Sequence, residues 1–238
     1  MILKQDEINR SIPYEKYFSI MKISEKQKRD RIAFAEKMED ELLLIMTLFA
    51  TFRDYSVTND NLIVRQLKDA YMDTVALFWD ISGDDNKPAE TVKNSKESSQ
   101  SVKNSKPTAE SKKFIFSDDY IADMALIFAA DFVRATREHS SDPWYTSNDR
   151  VMFNAENEAN NVLNYLDYKR AVGKGKTKKR WITMEDERVR ETHREVDGKI
   201  VDIGSYFVVG ECLMRFPGDK EFGLPQEIVG CRCSIQYS

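Results

Sequence analysis

Between Asn86 and Lys113 the chain runs NKPAETVKNSKESSQSVKNSKPTAESKK, and nothing on the apolar side of it is larger than Val. Such a stretch cannot bury enough surface to offset the entropy of ordering it. It therefore reads as a flexible low-complexity insert over 86–113, and no continuous core runs through it. The pentapeptide VKNSK occurs twice, from Val92 and from Val102. A repeat of that composition is low complexity rather than a structural unit. Whatever folds must be built from the flanks.

Both flanks carry helical periodicity. Ser24 followed by Gln27 is a capping-box signature, and a helix is expected from there to about Arg53. Ile32, Ala35, Met38, Leu42, Ile45 and Phe49 recur at steps of three and four, which makes one apolar face. A second helix is expected from Asn61 to about Asp80, with Ile63, Leu67, Ala70, Thr74 and Leu77 on its stripe. After the insert, Ser117 with Asp118 and Asp119 opens a third. Its buried side is Ile121, Met124, either Ile127 or Phe128, and Phe132. Asn148 is the expected cap of a fourth, lined by Val151, Ala155, Ala159, Val162 and Leu166 and stopped by Gly173 and Gly175.

From residue 176 the period changes. Thr183 and Asp186 are candidate caps of a short helix to about Glu195, and Asp197-Gly198 is a turn signal. Lys199 to Ile203, Tyr206 to Met214 and Cys231 to Tyr237 read as strands between Gly/Pro loops. The expected fold class is α+β. A helical region over 1–85 and another over 114–175 precede a small α+β domain over 176–238.

The net charge of -4 argues against a chain that coats nucleic acid along its whole surface. MILKQDEINR has no apolar core of a secretory signal. The longest apolar stretch, Leu42 to Phe52, is well short of the roughly 20 residues a membrane span needs. Three cysteines do not make a disulfide framework. These features suggest a reducing cytoplasm, or a particle assembled in one, and no membrane partner.

The most specific string lies at the end. From Lys179 the chain reads KRWITMEDERVRETHREVDGKIV, then GECLMRFPGDKEFGLPQEIVGCRC. In order it presents Trp181, Thr183, Asp186, Arg188, Arg190, His193, Asp197, Gly198, Pro217, Asp219, Cys231, Arg232 and Cys233. This pattern resembles the C-terminal module of the phage Mu F-like minor head proteins, the head-morphogenesis family of tailed bacteriophages. Asn157-Glu158-Ala159-Asn160 resembles the family as well. The resemblance spans about Asn148 to Tyr237 and is fainter over Tyr14 to Trp79. It implies a minor capsid protein of the virion, placed inside the head after assembly in the host cytoplasm. It further implies the portal protein and other head proteins as partners, and a role in DNA packaging or ejection. The family brings no agreed catalytic residue, so none is carried over and a protein that is not an enzyme is expected.

The same residues admit chemistry of their own. On a helix, Asp186, Arg190 and His193 would share one face, fit either for acid–base work or for an ion pair beside a hydrogen-bonded histidine. In a strand, Cys231 and Cys233 point to the same side. With His193 they offer three zinc ligands, Cys212 or an Asp being the candidate fourth. Alternatively they are buried thiols acting as small hydrophobes, with no cofactor. A metal-dependent or toxin-like enzyme around His193, Cys231 and Cys233 is thus one rival reading. The other is a double-stranded DNA binder. Lys169, Arg170, Lys174, Lys176, Lys178, Lys179 and Arg180 form a run without an acidic residue, flanked by Tyr168 and Trp181, and the alternative for that run is a solvated basic loop. GKGKT inside that run lacks the spacing of a phosphate-binding loop. Trp144, Trp181, Phe207, Phe216 and Phe222 read as core or loop-anchoring aromatics.

Overall fold

The computed structural model describes residues 13–51, 56–79 and 118–238. The 86–113 insert and Ser117 lie outside the described residues. A short helix, α1, covers residues 13–19. It is followed by α2 (Glu25–Thr51), α3 (Val57–Phe78), α4 (Asp119–Glu138), a 3-10 turn (Pro143–Thr146) and α5 (Asn148–Gly173).

Each long helix starts where a side chain satisfies its open N–H groups. At α2 the capping box forms as read: the Gln27 N–H donates to Ser24 Oγ, and Gln27 Oε1 accepts from the Ser24 N–H at 3.0 Å. Ser56 caps α3, accepting from Asn59 N, so that helix opens ahead of Asn61. Asp118 caps α4 through Ile121 N at 3.1 Å, and Ser147 rather than Asn148 caps α5 through Arg150 N at 3.2 Å.

The apolar stripes of α2 and α4 lie inward, with Phe128 buried and Ile127 52% exposed. In α3 the stripe is rotated from the expected one. Tyr71 and Val75 are buried, whereas Ala70 is half-buried and Leu77 exposed. Helix α5 packs on α2, and α3 on both α2 and α4. Between residues 155 and 166 α5 is buried almost all round, and much of what it buries is polar: Asn157, Glu158, Asn160, Asn161 and Asn164.

The C-terminal region departs most from expectation. Lys178–Ile182, read as the end of a basic loop, is strand β1, the middle of a three-stranded antiparallel sheet. Its neighbours are β2 (Ile200–Asp202) and β5 (Ser234–Tyr237), in register Lys179 with Val201 and Trp181 with Ile235. The expected single strand from Tyr206 to Met214 is a hairpin, β3 (Phe207–Val209) and β4 (Cys212–Met214). It folds back at Gly210, whose φ of 57° suits glycine. The expected helix over 183–195 shrinks to one turn, α6 (Glu191–Arg194). Residues 183–190 are instead a loop in which Asp197 Oδ1 accepts from Thr183 N at 2.7 Å and Glu185 adopts φ 56°. A second short turn, α7 (Pro225–Ile228), precedes the Cys231–Cys233 segment, which leads into β5 without being part of it.

Strands of three to five residues make little core alone. Here they share one: a continuous buried cluster runs from Tyr14 through Ile235, taking in Trp181, Phe207 and Phe216. Among the described residues no helix is long and apolar enough to cross a membrane.

Candidate functional site

His193 sits on α6, 2% exposed, with its ring edge-on to the buried Trp181 at 5.7 Å between centroids. Its Nδ1 lies 3.4 Å from Cys233 Sγ and 3.6 Å from Cys231 Sγ. Its Nε2 lies 3.0 Å from Glu227 Oε2 on α7, which also accepts from Thr192 Oγ1 at 2.8 Å. Ligand atoms of His193, Cys231 and Cys233 all fall within 4.8 Å of one another, and all three residues are buried. The geometry foreseen from a strand therefore survives although the two cysteines precede the strand.

The tail is aimed by its backbone. Asn160 Nδ2 donates to the Cys231 carbonyl at 2.8 Å and Asn164 Nδ2 to the Cys233 carbonyl at 3.1 Å. Between them Arg232 points the other way, into a bidentate pair with Asp186 at 2.7 Å for each bond. Held so, both thiols face the imidazole. Hydrogen bonding from Cys233 holds the Cys231 thiol well below its usual range, with His193 adding to the effect. The bond to Cys231 and burial push the Cys233 thiol up. At His193 burial acts to lower the pKa, but the Cys231 sulfur outweighs it and the net direction is up.

The trio Asp186, Arg190 and His193 does not assemble. Asp186 is spent on Arg232 and the Arg188 N–H, and Arg190 donates to the Val229 carbonyl. The loop over 183–190 removes the helical face that would have aligned them. The space beside His193, Cys231 and Cys233 is a cavity of about 10 Å³ lined also by Met184, Arg188, Val189 and Arg190. That is room for about one water molecule. Asp197 and Gly198 serve the turn after α6: Gly198 has φ 71° and its N–H donates to the Trp181 carbonyl at 2.9 Å.

Lys179 is corrected as a DNA-facing residue. It is fully buried, its ammonium donates to the Arg215 carbonyl at 2.8 Å, and burial pulls its pKa down to about 8. Alternation along β1 turns it inward between the exposed Lys178 and Arg180. Lys178 pairs with Asp202 at 2.6 Å, Arg170 with Asp167 at 3.0 Å, and Lys169 lies 3.8 Å from Asp118. Arg180 Nε donates to the Gly198 carbonyl at 3.3 Å. Lys174 and Lys176 line a cleft of about 230 Å³ shared with Arg170, Asp30 and Asp167. The basic run thus becomes a surface of mixed sign.

Several working residues escaped the sequence reading. Glu227 had no signal, since only the fold brings α7 to α6. Arg31, fully buried, donates to Asn160 Oδ1 at 3.1 Å and Asn164 Oδ1 at 2.9 Å. Asn157, Asn160, Asn161 and Asn164 recur at helical spacing, a polar stripe that could have marked α5 as a helix with a polar partner. Glu158 takes Lys220 Nζ at 2.8 Å and the Tyr71 hydroxyl at 2.8 Å.

Three comparisons bear on this arrangement. Residues 125–236 match the family model described as Phage Mu protein F like protein. The NAD(+)–arginine ADP-ribosyltransferase EFV of Enterococcus faecalis (strain ATCC 700802 / V583) is 39% identical over 57 residues, 24% of this chain and 11% of that protein. The chain thus spans about a tenth of the length of that curated relative. No solved structure gives a significant match.

Proposed function

Over residues 125–236 the chain belongs to the phage Mu protein F-like family, a phage head-related family, and from that premise we propose that it works by adhesion, as a minor head protein held at the portal or inner shell. The observation that carries this reading is how the motif residues are used. Trp181, Asp186, Arg190, His193, Asp197, Cys231 and Arg232 all bind other parts of the same chain. Among the described residues, the space beside His193, Cys231 and Cys233 holds about one water. An arrangement of that kind supports a rigid shape to be recognised, rather than turnover.

Surfaces suited to recognition lie outside the motif. Val208 and Leu213 face each other across the β3–β4 hairpin on its outer side, 63% and 47% exposed. Packaging or ejection of DNA would be served through the head partner. Direct DNA contact is the weaker reading, because Lys179 is buried and Lys169, Arg170 and Lys178 each lie beside an acid.

Co-purification of the full chain with the portal protein of its own phage tests the proposal. The expected result is a stable complex that survives deletion of residues 86–113 and is lost on V208K/L213K, with the far-ultraviolet circular dichroism of the variant unchanged. An intact chain that never co-purifies with the portal sinks the docking reading.

A further inference from the structure

We infer that His193 Nδ1, Cys231 Sγ and Cys233 Sγ form a zinc site that staples α6 to the C-terminal tail. The first ground is distance. Tetrahedral zinc with bonds of about 2.05 Å to nitrogen and about 2.3 Å to sulfur sets N···S edges of about 3.5 Å. The two edges here are 3.4 and 3.6 Å. Both are also N···S hydrogen-bond distances, so the metal fits without the side chains moving.

The second ground is the ring's other nitrogen. A metal-bound histidine characteristically donates its remaining N–H to a carboxylate, which fixes the tautomer and the ring plane. Glu227 Oε2 stands 3.0 Å from Nε2, is itself held by Thr192, and is only 8% exposed. That contact leaves Nδ1 as the ligand atom, and Nδ1 is the nitrogen that faces the sulfurs.

The third ground is preorganisation. Both cysteine carbonyls are pinned by α5 amides and Arg232 is drawn off to Asp186, so the C-R-C backbone cannot swing the thiols apart without breaking buried hydrogen bonds. All three cysteines are free, and Cys212 lies elsewhere, its sulfur accepting from Leu224 N at 3.2 Å.

Two thiolates and an imidazole are a soft donor set that selects zinc over magnesium or calcium. On binding, two protons leave the ligand set. Among the described residues the cluster holds no fourth His, Cys, Asp or Glu donor. The adjoining cavity of about 10 Å³ fits one water as the fourth ligand. Joining a one-turn helix to a tail in a region of short strands is what such a staple would contribute.

Cobalt(II) is the probe. The full chain, purified under reducing conditions with all three thiols titratable, should develop a thiolate-to-cobalt charge-transfer band and intense tetrahedral d–d absorption. Both should saturate at one cobalt per chain, and stoichiometric zinc should abolish them. C231S and C233S should each reduce the charge-transfer band, and the double variant should lack it. C212S should keep the full intensity. Because ligand variants could unfold, the wild-type chain decides: a folded, fully reduced protein that gives no charge-transfer band with excess cobalt overturns the site. So does a band that persists at full strength in C231S/C233S.

Discussion

Helices α2 to α4 and the region after residue 176 are held together by different means. The helices meet through stripes of Phe, Met, Leu and Ile, where what matters is the volume that each side chain fills. The C-terminal region has strands of three to five residues and long loops, and besides its share of the common core it is pinned by individual polar side chains from α5. Asn160 and Asn164 hold the Cys231–Cys233 carbonyls, Asn157 Oδ1 accepts from Gly230 N at 2.8 Å, and Glu158 takes Lys220. One region therefore tolerates exchange of shape among apolar residues. The other depends on particular donors and acceptors, whose removal takes hydrogen bonds from buried partners.

Asn164→Leu tests that contrast most strongly. It keeps the branched shape but strands the Pro217 carbonyl. It also removes the shorter of two hydrogen bonds at the Cys233 carbonyl, where Asn160 remains at 3.3 Å, and at the buried Arg31, where Asp167 remains at 3.4 Å. We expect a loss of about 3–4 kcal/mol in urea unfolding, since a stranded buried carbonyl costs about 1–3 kcal/mol and each of the other lost hydrogen bonds about 1 kcal/mol. Leu42→Met, on the α2 stripe, should cost less than about 1.5 kcal/mol. Equal losses would break the comparison.

A smaller effect is expected where the loop touches α5. Gly218 has φ 84°, and a Cβ there would meet Asn161 Oδ1 at 2.1 Å and Asn161 Cα at 3.1 Å. Gly175 has φ 70° with nothing within 4 Å. Gly175→Ala should cost about 1 kcal/mol, from the left-handed backbone alone. Gly218→Ala should cost about 2–3 kcal/mol, the excess coming from the loop being pushed off the helix. Thermal unfolding of the two variants side by side reads that excess directly, and matched losses would mean that the close approach carries no weight.

The same contrast explains what was legible beforehand. Stripes of three and four residues announce a helix regardless of its partner, so α2, α4 and α5 were readable, and so was the α+β class. The α3 stripe was displaced because Tyr71 counts as polar by its hydroxyl, yet it buries its ring and satisfies the hydroxyl on Glu158. Strand β1 was hidden by its charges. Lys178, Lys179 and Arg180 read as a solvated loop, and only the sheet shows that Lys179 alternates inward. The grouping of His193 with Cys231 and Cys233 was visible, because like spacing constrains two thiols even outside a strand. Glu227 was not, as its role depends on the packing of one short turn on another.

The smallest expected effect lies where the two regions meet on α5. Burial raises the Glu156 carboxyl from 4.5 to about 7, with Glu39 of α2 adding to the rise and Arg188 of the 183–190 loop opposing it. A carboxyl raised by folding holds its proton in the folded chain while the unfolded chain has released it. Between those two pH values stability therefore falls as pH rises, and above the upper one the penalty is constant. Glu156→Gln should leave stability unchanged at a pH below 4.5. Above the upper value it should raise stability by on the order of 1 kcal/mol, after allowance for the solvent that still reaches this half-buried group. The difference between wild type and variant, followed by urea unfolding across that range, isolates the one group from every other titration. Arg188→Ala should enlarge the gain, since the loop's guanidinium is what partly offsets the burial. A difference that stays flat with pH, or that does not respond to Arg188→Ala, would mean that Glu156 does not sense the C-terminal region. The junction would then belong to the helical body alone.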